Sequence, residues 1–228
     1  MTQQPWQVEA QPIQVGARFL SQSFAWMFAG LLVTAGIAFF VSGTPAVIRG
    51  VADFWFLIFF AQLGLAIGIQ AAIGRLNATT ALGLFFVFAA AMGFTVGVIV
   101  TLYRVESVIT SFLGASAMFG AAAVYGATTQ RSLHSLGGYL FMGMIGVFVA
   151  SLVNIVLGSG VFGWVIALIG VGVFTVFTAY DVQKISQGQY VALTGSEEKA
   201  SVIGALHLYI NFINIFLFLL RLLGSNRN

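Results

Sequence analysis

Residues 81–102 have the sequence ALGLFFVFAAAMGFTVGVIVTL, a run that contains no charged side chain. A helix needs about 20 mostly apolar residues to cross the hydrocarbon core of a bilayer, so this run predicts a membrane-spanning segment. Inside hydrocarbon, only helices and closed barrels satisfy every backbone polar group. Because the run is continuously apolar and does not alternate with polar residues as barrel strands do, it favours a helix.

The same length criterion marks seven apolar segments along the chain. Hydrophobic residues make up 60% of the sequence and charged residues 7%, whereas soluble domains carry about 25% charged residues. Most of the surface must therefore face lipid. The sequence predicts an all-α, polytopic membrane protein built as a seven-helix bundle. The predicted segments are 23–41, 55–73, 81–102, 108–127, 138–158, 162–180 and 202–222.

Glycines mark one tight turn and several close helix contacts. Residues 158–160 carry no charge and separate the fifth and sixth segments, so these two segments are expected to form a tight antiparallel hairpin, with a re-entrant pair as the alternative. Two GxxxG pairs, Gly64 with Gly68 and Gly93 with Gly97, allow helix backbones to approach closely. We expect both pairs to pack within the molecule rather than between copies.

The ends of the chain predict short tails around one membrane domain. Residues 1–22 are rich in glutamine and lack the basic and apolar regions of a signal peptide, so they predict a flexible polar tail. The membrane domain is predicted at 23–222 and a short C-terminal tail at 223–228. Cysteine is absent, which excludes disulfides and thiolate chemistry. The basic residues are scattered and form no patch, so no nucleic-acid partner is expected.

The distribution of Lys and Arg slightly favours one orientation. Short cytoplasmic loops are enriched in these residues, and a cytoplasmic N-terminus places five of them inside against four outside. We therefore expect a multi-pass protein of a prokaryotic inner (plasma) membrane with a cytoplasmic N-terminus. On this assignment the cytoplasmic side holds Arg18, Arg75, Arg131, Lys184 and Lys199, and the other side holds Arg49, Arg104, Arg221 and Arg227.

Polar residues within the apolar runs are the candidates for function, because ionisable groups in hydrocarbon tend to face a cavity or a partner. Asp181 directly follows the run VGVFTVFTAY, and its alternative interpretation is a solvated carboxylate at a helix end. Spacings of four, three and seven residues place a polar stripe on one face of the seventh segment, which is expected to face inward. Interhelical hydrogen bonding alone would also explain the stripe. It comprises His207, Asn211, Asn214 and Arg221.

Three stretches carry a family resemblance. They are SFLGASAMFGAAAVYGATTQRSLHSLGGYLFMGMIGVFVASLVNI at 111–155, TAYDVQKI at 178–185 and IGALHLYINFINIFLFLLRLLG at 203–224. Together they resemble the transmembrane Bax-inhibitor-motif family, especially its bacterial members. The resemblance implies a seven-helix bundle with a cytoplasmic N-terminus and a central seventh helix.

The resemblance also implies a function. Family members resemble pH-sensitive calcium leak pathways, in which an aspartate after the sixth helix pairs with one in an LYLDFIN-like motif of the seventh. The first maps to Asp181, preceded by Tyr180, and the second maps to Asn211, so the second carboxylate is missing. Two carboxylates share a proton because they repel, whereas asparagine bonds to either protonation state of Asp181. His207, one turn earlier, is a candidate substitute proton switch.

The residues that match the family motifs predict a gate and a cavity for an ion. The predicted function is a pH-influenced cation leak of the calcium type, with pH gating blunted by Asn211. An arginine near the end of the second helix engages the aspartate pair in some relatives, and Arg75 is its nearest counterpart, with Asn77 competing for the position. Asp181 is a weak candidate calcium contact, calcium being the permeant ion, and no cofactor is expected. The predicted gate is Asp181, Asn211, His207 and Arg75, and the predicted cavity lining is Tyr180, Tyr209 and Asn214.

Other membrane-protein functions fit the sequence less well. An intramembrane aspartyl protease needs a second aspartate, but Asp53 lies outside the required Gly-x-Gly-Asp setting. A retinal protein needs a lysine within a span, and Lys184 and Lys199 lie in a predicted loop. The sequence therefore predicts no enzyme. The alternative function is a non-transporting regulator that binds another membrane protein, such as a membrane-anchored protease.

Overall fold

The computed structural model describes the backbone of residues 11–225 and the side chains of residues 18–225. Within that range the regular structure is helical, with one short 3-10 turn at His134–Leu136. Residues 1–10 and 226–228 of the two predicted tails lie outside the described residues. The α-helices are α1 (Gln11–Ser42), α2 (Pro45–Asp53), α3 (Trp55–Ala72), α4 (Ala78–Thr101), α5 (Val105–Thr128), α6 (Gly137–Leu157), α7 (Gly160–Ser186), α8 (Gln189–Thr194) and α9 (Glu197–Leu223).

Seven of these helices are long and apolar enough to cross a membrane, which confirms the predicted number of spans. Each predicted segment lies on one of α1, α3, α4, α5, α6, α7 and α9. The helix boundaries differ most at three places. α1 begins at Gln11 where a tail was predicted, α7 continues to Ser186 instead of ending at 180, and α9 begins at Glu197 instead of 202. The short helices α2 and α8 were not predicted.

The last helix, α9, is the centre of the bundle, as predicted. In its most apolar stretch 72% of the residues are buried, against 33% or less in any other span. It packs against α1, α4, α5, α7 and α8. Tyr209 shows how the packing works: its ring lies edge-on to Phe85 and Phe88 of α4, and its hydroxyl lies 2.5 Å from Thr34 Oγ1 of α1. The central helix is therefore held by both apolar contacts and buried hydrogen bonds.

Glycine allows the closest helix contacts. Gly93 and Gly97 of α4 lie against α1, where an added Cβ at Gly97 would overlap Val41, so this pair packs within the molecule as predicted. The prediction was wrong for Gly64 and Gly68, because both are exposed on α3 with open space around them. Spacing alone does not distinguish a packed face from a lipid-facing one.

The predicted hairpin between α6 and α7 is confirmed. α6 ends at Leu157, and the residue that caps it, Gly158, has a φ of 62°, in the left-handed region that favours glycine. Ser159 then caps α7, because its side chain accepts a hydrogen bond from Phe162 N at 3.2 Å. Two residues therefore suffice to reverse the chain.

Candidate functional site

The centre of the candidate site is a direct contact between α7 and α9. Because α7 continues past Tyr180, Asp181 lies inside the helix and is only 3% exposed, rather than at a solvated helix end. Asn211 of α9 donates from Nδ2 to Asp181 Oδ2 at 2.8 Å. The structure thus brings together the two residues that the motif comparison paired. We call this end of the bundle, where α3, α5 and α7 end, the Asp181 end.

A tyrosine that the sequence did not point to completes the contact. Tyr190 lies on α8, which is set between two left-handed glycines, Gly188 and Gly195. Its side chain turns back into the bundle, is 3% exposed, and its hydroxyl donates to Asp181 Oδ1 at 3.1 Å. Burial raises the pKa of the Tyr190 hydroxyl well above the usual tyrosine value, and the charge of Asp181 raises it further. Tyr190 therefore keeps its hydroxyl proton at neutral pH and can donate it.

A partly exposed histidine, His207, lies next to Tyr190 and Asp181. Its Nδ1 lies 2.7 Å from the Tyr190 hydroxyl and 3.4 Å from Asp181 Oδ1. Its Nε2 lies 2.8 Å from Gln70 Oε1 of α3. Since Gln70 Nε2 donates to Ala66 O at 3.2 Å, the Gln70 oxygen is the atom that faces the imidazole. The His207 side chain is 24% exposed, so it connects the buried carboxylate to the surroundings.

The hydrogen positions in this cluster follow from counting donors. Gln70 accepts from His207 Nε2, so that nitrogen carries a proton. With neutral His207 and ionised Asp181, the single hydroxyl proton of Tyr190 has two acceptors, Nδ1 and Oδ1, and serves one of them. One additional proton on Nδ1 resolves this, because Nδ1–H then donates to Tyr190 while Tyr190 donates to Asp181. The donors and acceptors of this cluster can thus accommodate one additional proton on His207 Nδ1. We call the cluster of His207, Tyr190, Asp181, Asn211 and Gln70 the latch cluster.

The predicted arginine is not part of the latch cluster. Arg75 follows the end of α3 and is exposed, and its side chain makes no hydrogen bond or ion pair with the described residues. The α3 residue that reaches the site is Gln70, one and a half turns earlier. A cation of α7, Lys184, lies close to the latch cluster: its Nζ is 4.9 Å from the centre of the Tyr190 ring.

The three predicted cavity residues lie elsewhere. Tyr180 packs against the small apolar cluster that contains Leu133, and its hydroxyl lies beside Gly137 at the start of α6. Tyr209 is fully buried toward α1 and α4. Asn214 donates to Ile210 O of its own helix at 2.8 Å. None of the three has a hydrogen bond to Asp181 in the described part of the chain, whose bonds come from α8 and α9.

The polar stripe continues to the opposite end of α9. Residues from His207 to Arg221 span about 21 Å at 1.5 Å per residue, and the incompletely buried residues of this stretch share one face. At its far end Arg221 lies against Gly163, where even a methyl group would overlap the guanidinium. When the side-chain amide of Asn154 on α6 is oriented so that its nitrogen and its oxygen are both hydrogen-bonded, the oxygen accepts from Arg221 Nη2 at 2.7 Å. The face comprises His207, Ile210, Asn214, Leu217, Phe218 and Arg221.

The site does not offer a complete coordination shell for a resident metal. Calcium takes six to eight oxygen ligands, whereas both Asp181 oxygens already accept from protein donors. Among the residues that the structure describes, no three His, Asp or Glu side chains cluster as metal ligands.

Comparisons with known proteins agree with this architecture. The model of a family described as inhibitor of apoptosis-promoting Bax1 matches residues 16–228. The chain is 39% identical over 215 residues to the inner membrane protein YbhL of Escherichia coli K12, covering 92% of each chain. It is 36% identical to an uncharacterized protein of Borreliella burgdorferi, covering 96% of this chain and 97% of that one. It is also 36% identical to the uncharacterized protein RP147 of Rickettsia prowazekii, covering 92% and 91%.

These similarities extend over nearly the whole membrane domain and are not confined to one motif. With seven spans, and with the location of the Escherichia coli relative, the protein is a multi-pass inner-membrane protein. The resemblance found in the sequence is thereby confirmed. The chain belongs to the Bax inhibitor family of membrane proteins.

Proposed function

We propose that the protein is a slow, pH-influenced cation leak, with calcium as a permeant ion and no enzymatic activity, whose Asp181 end faces the cytoplasm. The observation that carries the proposal is the latch cluster, in which one buried carboxylate joins α7, α8 and α9 and reaches α3 through His207 and Gln70. An ionisable group embedded in a helical membrane bundle tends to mark an ion or proton pathway. The family membership supports the same class of function.

The route proposed for the ion runs along the incompletely buried face of α9. At the Asp181 end the proposed route is lined by the latch cluster. At the opposite end it is lined by Arg221 and Asn154. Separation of α9 from α7 requires the Asn211–Asp181 hydrogen bond to break, which exposes the carboxylate to a cation. The Asn211–Asp181 contact therefore closes the proposed route, and the carboxylate that it covers is the first group to attract the ion.

The pH response follows from the donors and acceptors. Asn211 bonds to Asp181 whether the carboxyl is ionised or protonated, so this contact by itself responds weakly to pH. Protonated His207 adds a positive charge beside ionised Asp181 and completes the bond chain through Tyr190. Closure in the proposed mechanism is therefore tightest where His207 is charged and Asp181 ionised, and flux rises when an increase in pH removes the His207 proton.

Flux through liposomes tests this proposal. Purified protein is reconstituted with a calcium indicator inside, and calcium entry is measured at a series of pH values equal on both sides. Wild-type protein is expected to conduct more at alkaline than at mildly acidic pH, and Asp181→Asn is expected to abolish the difference. Asp53→Asn is the matched control, because Asp53 is the other aspartate of the chain and lies exposed on α2.

Two results would refute it. An Asp181→Asn variant that keeps the wild-type pH response removes the carboxylate from gating. Wild-type liposomes that stay silent at every pH argue against a leak and favour the regulator that binds another membrane protein.

A further inference from the structure

A second feature of the fold, a groove between α2, α3 and α4, lies apart from the latch cluster. Its volume is about 760 Å³, which falls in the range of about 300–1,000 Å³ typical of small-molecule sites. Short side chains on all three helices, such as Gly50, Ala61 and Ala90, leave this space open. Val87 and Phe94 at its rim are exposed, and such apolar groups on a membrane span face lipid. The groove therefore opens toward the bilayer.

One polar side chain, Gln62, lies among the apolar residues of the groove. Gln62 is 5% exposed, and its amide nitrogen donates to Ala91 O at 2.8 Å and to Thr95 Oγ1 at 2.7 Å. Both amide hydrogens are thereby used. The amide oxygen accepts no hydrogen bond from any described residue, and it is not fully enclosed by protein. An acceptor that faces hydrocarbon without a donor is costly, so a ligand that brings a donor is stabilised at this point of the groove.

The rim shows which kind of ligand suits the groove. None of the residues that line the groove is charged, and the exposed Arg49 and Asp53 of α2 are not among them. The groove therefore offers no paired charge to a charged headgroup. The ligand is therefore selected by its apolar body and by a single donor group placed beside Gln62.

We infer that the groove binds an uncharged membrane lipid with a free hydroxyl group, whose chain fills the space between α3 and α4 and whose hydroxyl donates to the Gln62 amide oxygen. The ligand enters sideways from the bilayer. The site is independent of the cation leak proposed above, because none of its lining residues belongs to the latch cluster.

A matched pair of probes tests this inference. The full-length protein in phosphatidylcholine nanodiscs is photolabelled with a long-chain primary alcohol that carries a diazirine near its hydroxyl, or with the methyl ether of the same compound. The ether keeps the chain and loses the donor. We expect saturable labelling of α3 and α4 by the alcohol and about fivefold weaker labelling by the ether, the factor for one ordinary hydrogen bond.

Three variants complete the experiment. Ala90→Phe fills the groove and is expected to remove the saturable label, whereas Val149→Phe, on an exposed position of α6, is expected to retain it. Gln62→Leu is expected to make alcohol and ether label equally. Equal labelling of the wild type by both probes, or a label that survives Ala90→Phe, would overturn the inference, and neither result depends on Gln62→Leu folding.

Discussion

The sharpest test of the latch cluster is to restore the carboxylate that the family motif carries at Asn211. In the present chain the Asn211 amide nitrogen lies 2.8 Å from Asp181 Oδ2, so Asn211→Asp replaces a donor by a second anion at hydrogen-bonding distance. At a separation of about 4 Å and an effective dielectric constant of about 20, two unit charges repel by about 4 kcal/mol. The variant relieves this repulsion by taking up one proton between the two carboxyl groups.

The consequence for flux has a defined sign. At alkaline pH both carboxyl groups of the variant are ionised and push α7 and α9 apart, so the leak opens. At acidic pH the shared proton restores the contact, so the leak closes. Even a quarter of the repulsion, about 1 kcal/mol, changes the open-to-closed ratio about fivefold. The ratio of alkaline to acidic calcium flux is therefore expected to increase at least about fivefold over the wild-type ratio.

The control for this measurement is Asn214→Asp. It makes the same chemical change three residues further on, at a side chain that bonds to Ile210 O of its own helix and not to Asp181. Its flux ratio is expected to stay close to that of the wild type. A wild-type ratio in Asn211→Asp, or an equal increase in both variants, would show that the contact with Asp181 does not set the pH response.

Three further outcomes follow from the same contacts. Tyr190→Phe removes the hydroxyl between His207 and Asp181, so the rise of calcium flux with pH is expected to flatten; an unchanged profile would exclude the proton path through Tyr190. Burial and Asp181 raise the pKa of Tyr190. The contribution of Tyr190 to the stability of the fold is therefore complete below about pH 10 and is lost above it. Thermal unfolding should accordingly show a smaller loss of stability at alkaline pH in Tyr190→Phe than in wild type. Gly126→Ala would push its Cβ into the backbone of Ala179 and is expected to lower stability by about 1–3 kcal/mol, whereas Gly120→Ala, on the same helix with open space around it, should cost little.

The spans could be predicted from the sequence because the cost of exposing backbone to hydrocarbon forces long apolar runs to be helices. The short helices α2 and α8 escaped prediction for the opposite reason. Each lies in a polar gap, where length and hydropathy carry no signal, and α8 depends on two glycines in the left-handed region at Gly188 and Gly195. Since Tyr190 reaches the site only through the fold of α8, no pattern in the sequence identifies it.

Periodicity located the polar side of α9 but not the role of each residue on it. The spacing of His207 and Asn211 correctly placed both on one side of the helix, yet Asn211 turns into the contact with α7 while His207 stays partly exposed. The residue of α3 that contacts His207 was even harder to predict. The sequence favoured the charged Arg75 by analogy, whereas the residue that reaches His207 is the neutral Gln70. Which residue near a helix end faces the core depends on the rotation of that helix, and the sequence leaves this rotation open.

The replacement of an aspartate by Asn211 changes which charges balance in the closed cluster. A single ionised carboxylate among membrane helices needs a compensating positive charge. In the proposed mechanism His207, which is linked to Asp181 through Tyr190, supplies that charge when it is protonated. A cation that enters the route offers the same carboxylate the same compensation. Protonated His207 and the cation would therefore compete to balance the charge of Asp181, and loss of the His207 proton would leave the carboxylate free to attract the ion. In the proposed leak, the proton on His207 would both hold the latch closed and inhibit entry of the cation. The flux would then depend on pH without the pair of carboxylates that the family motif contains.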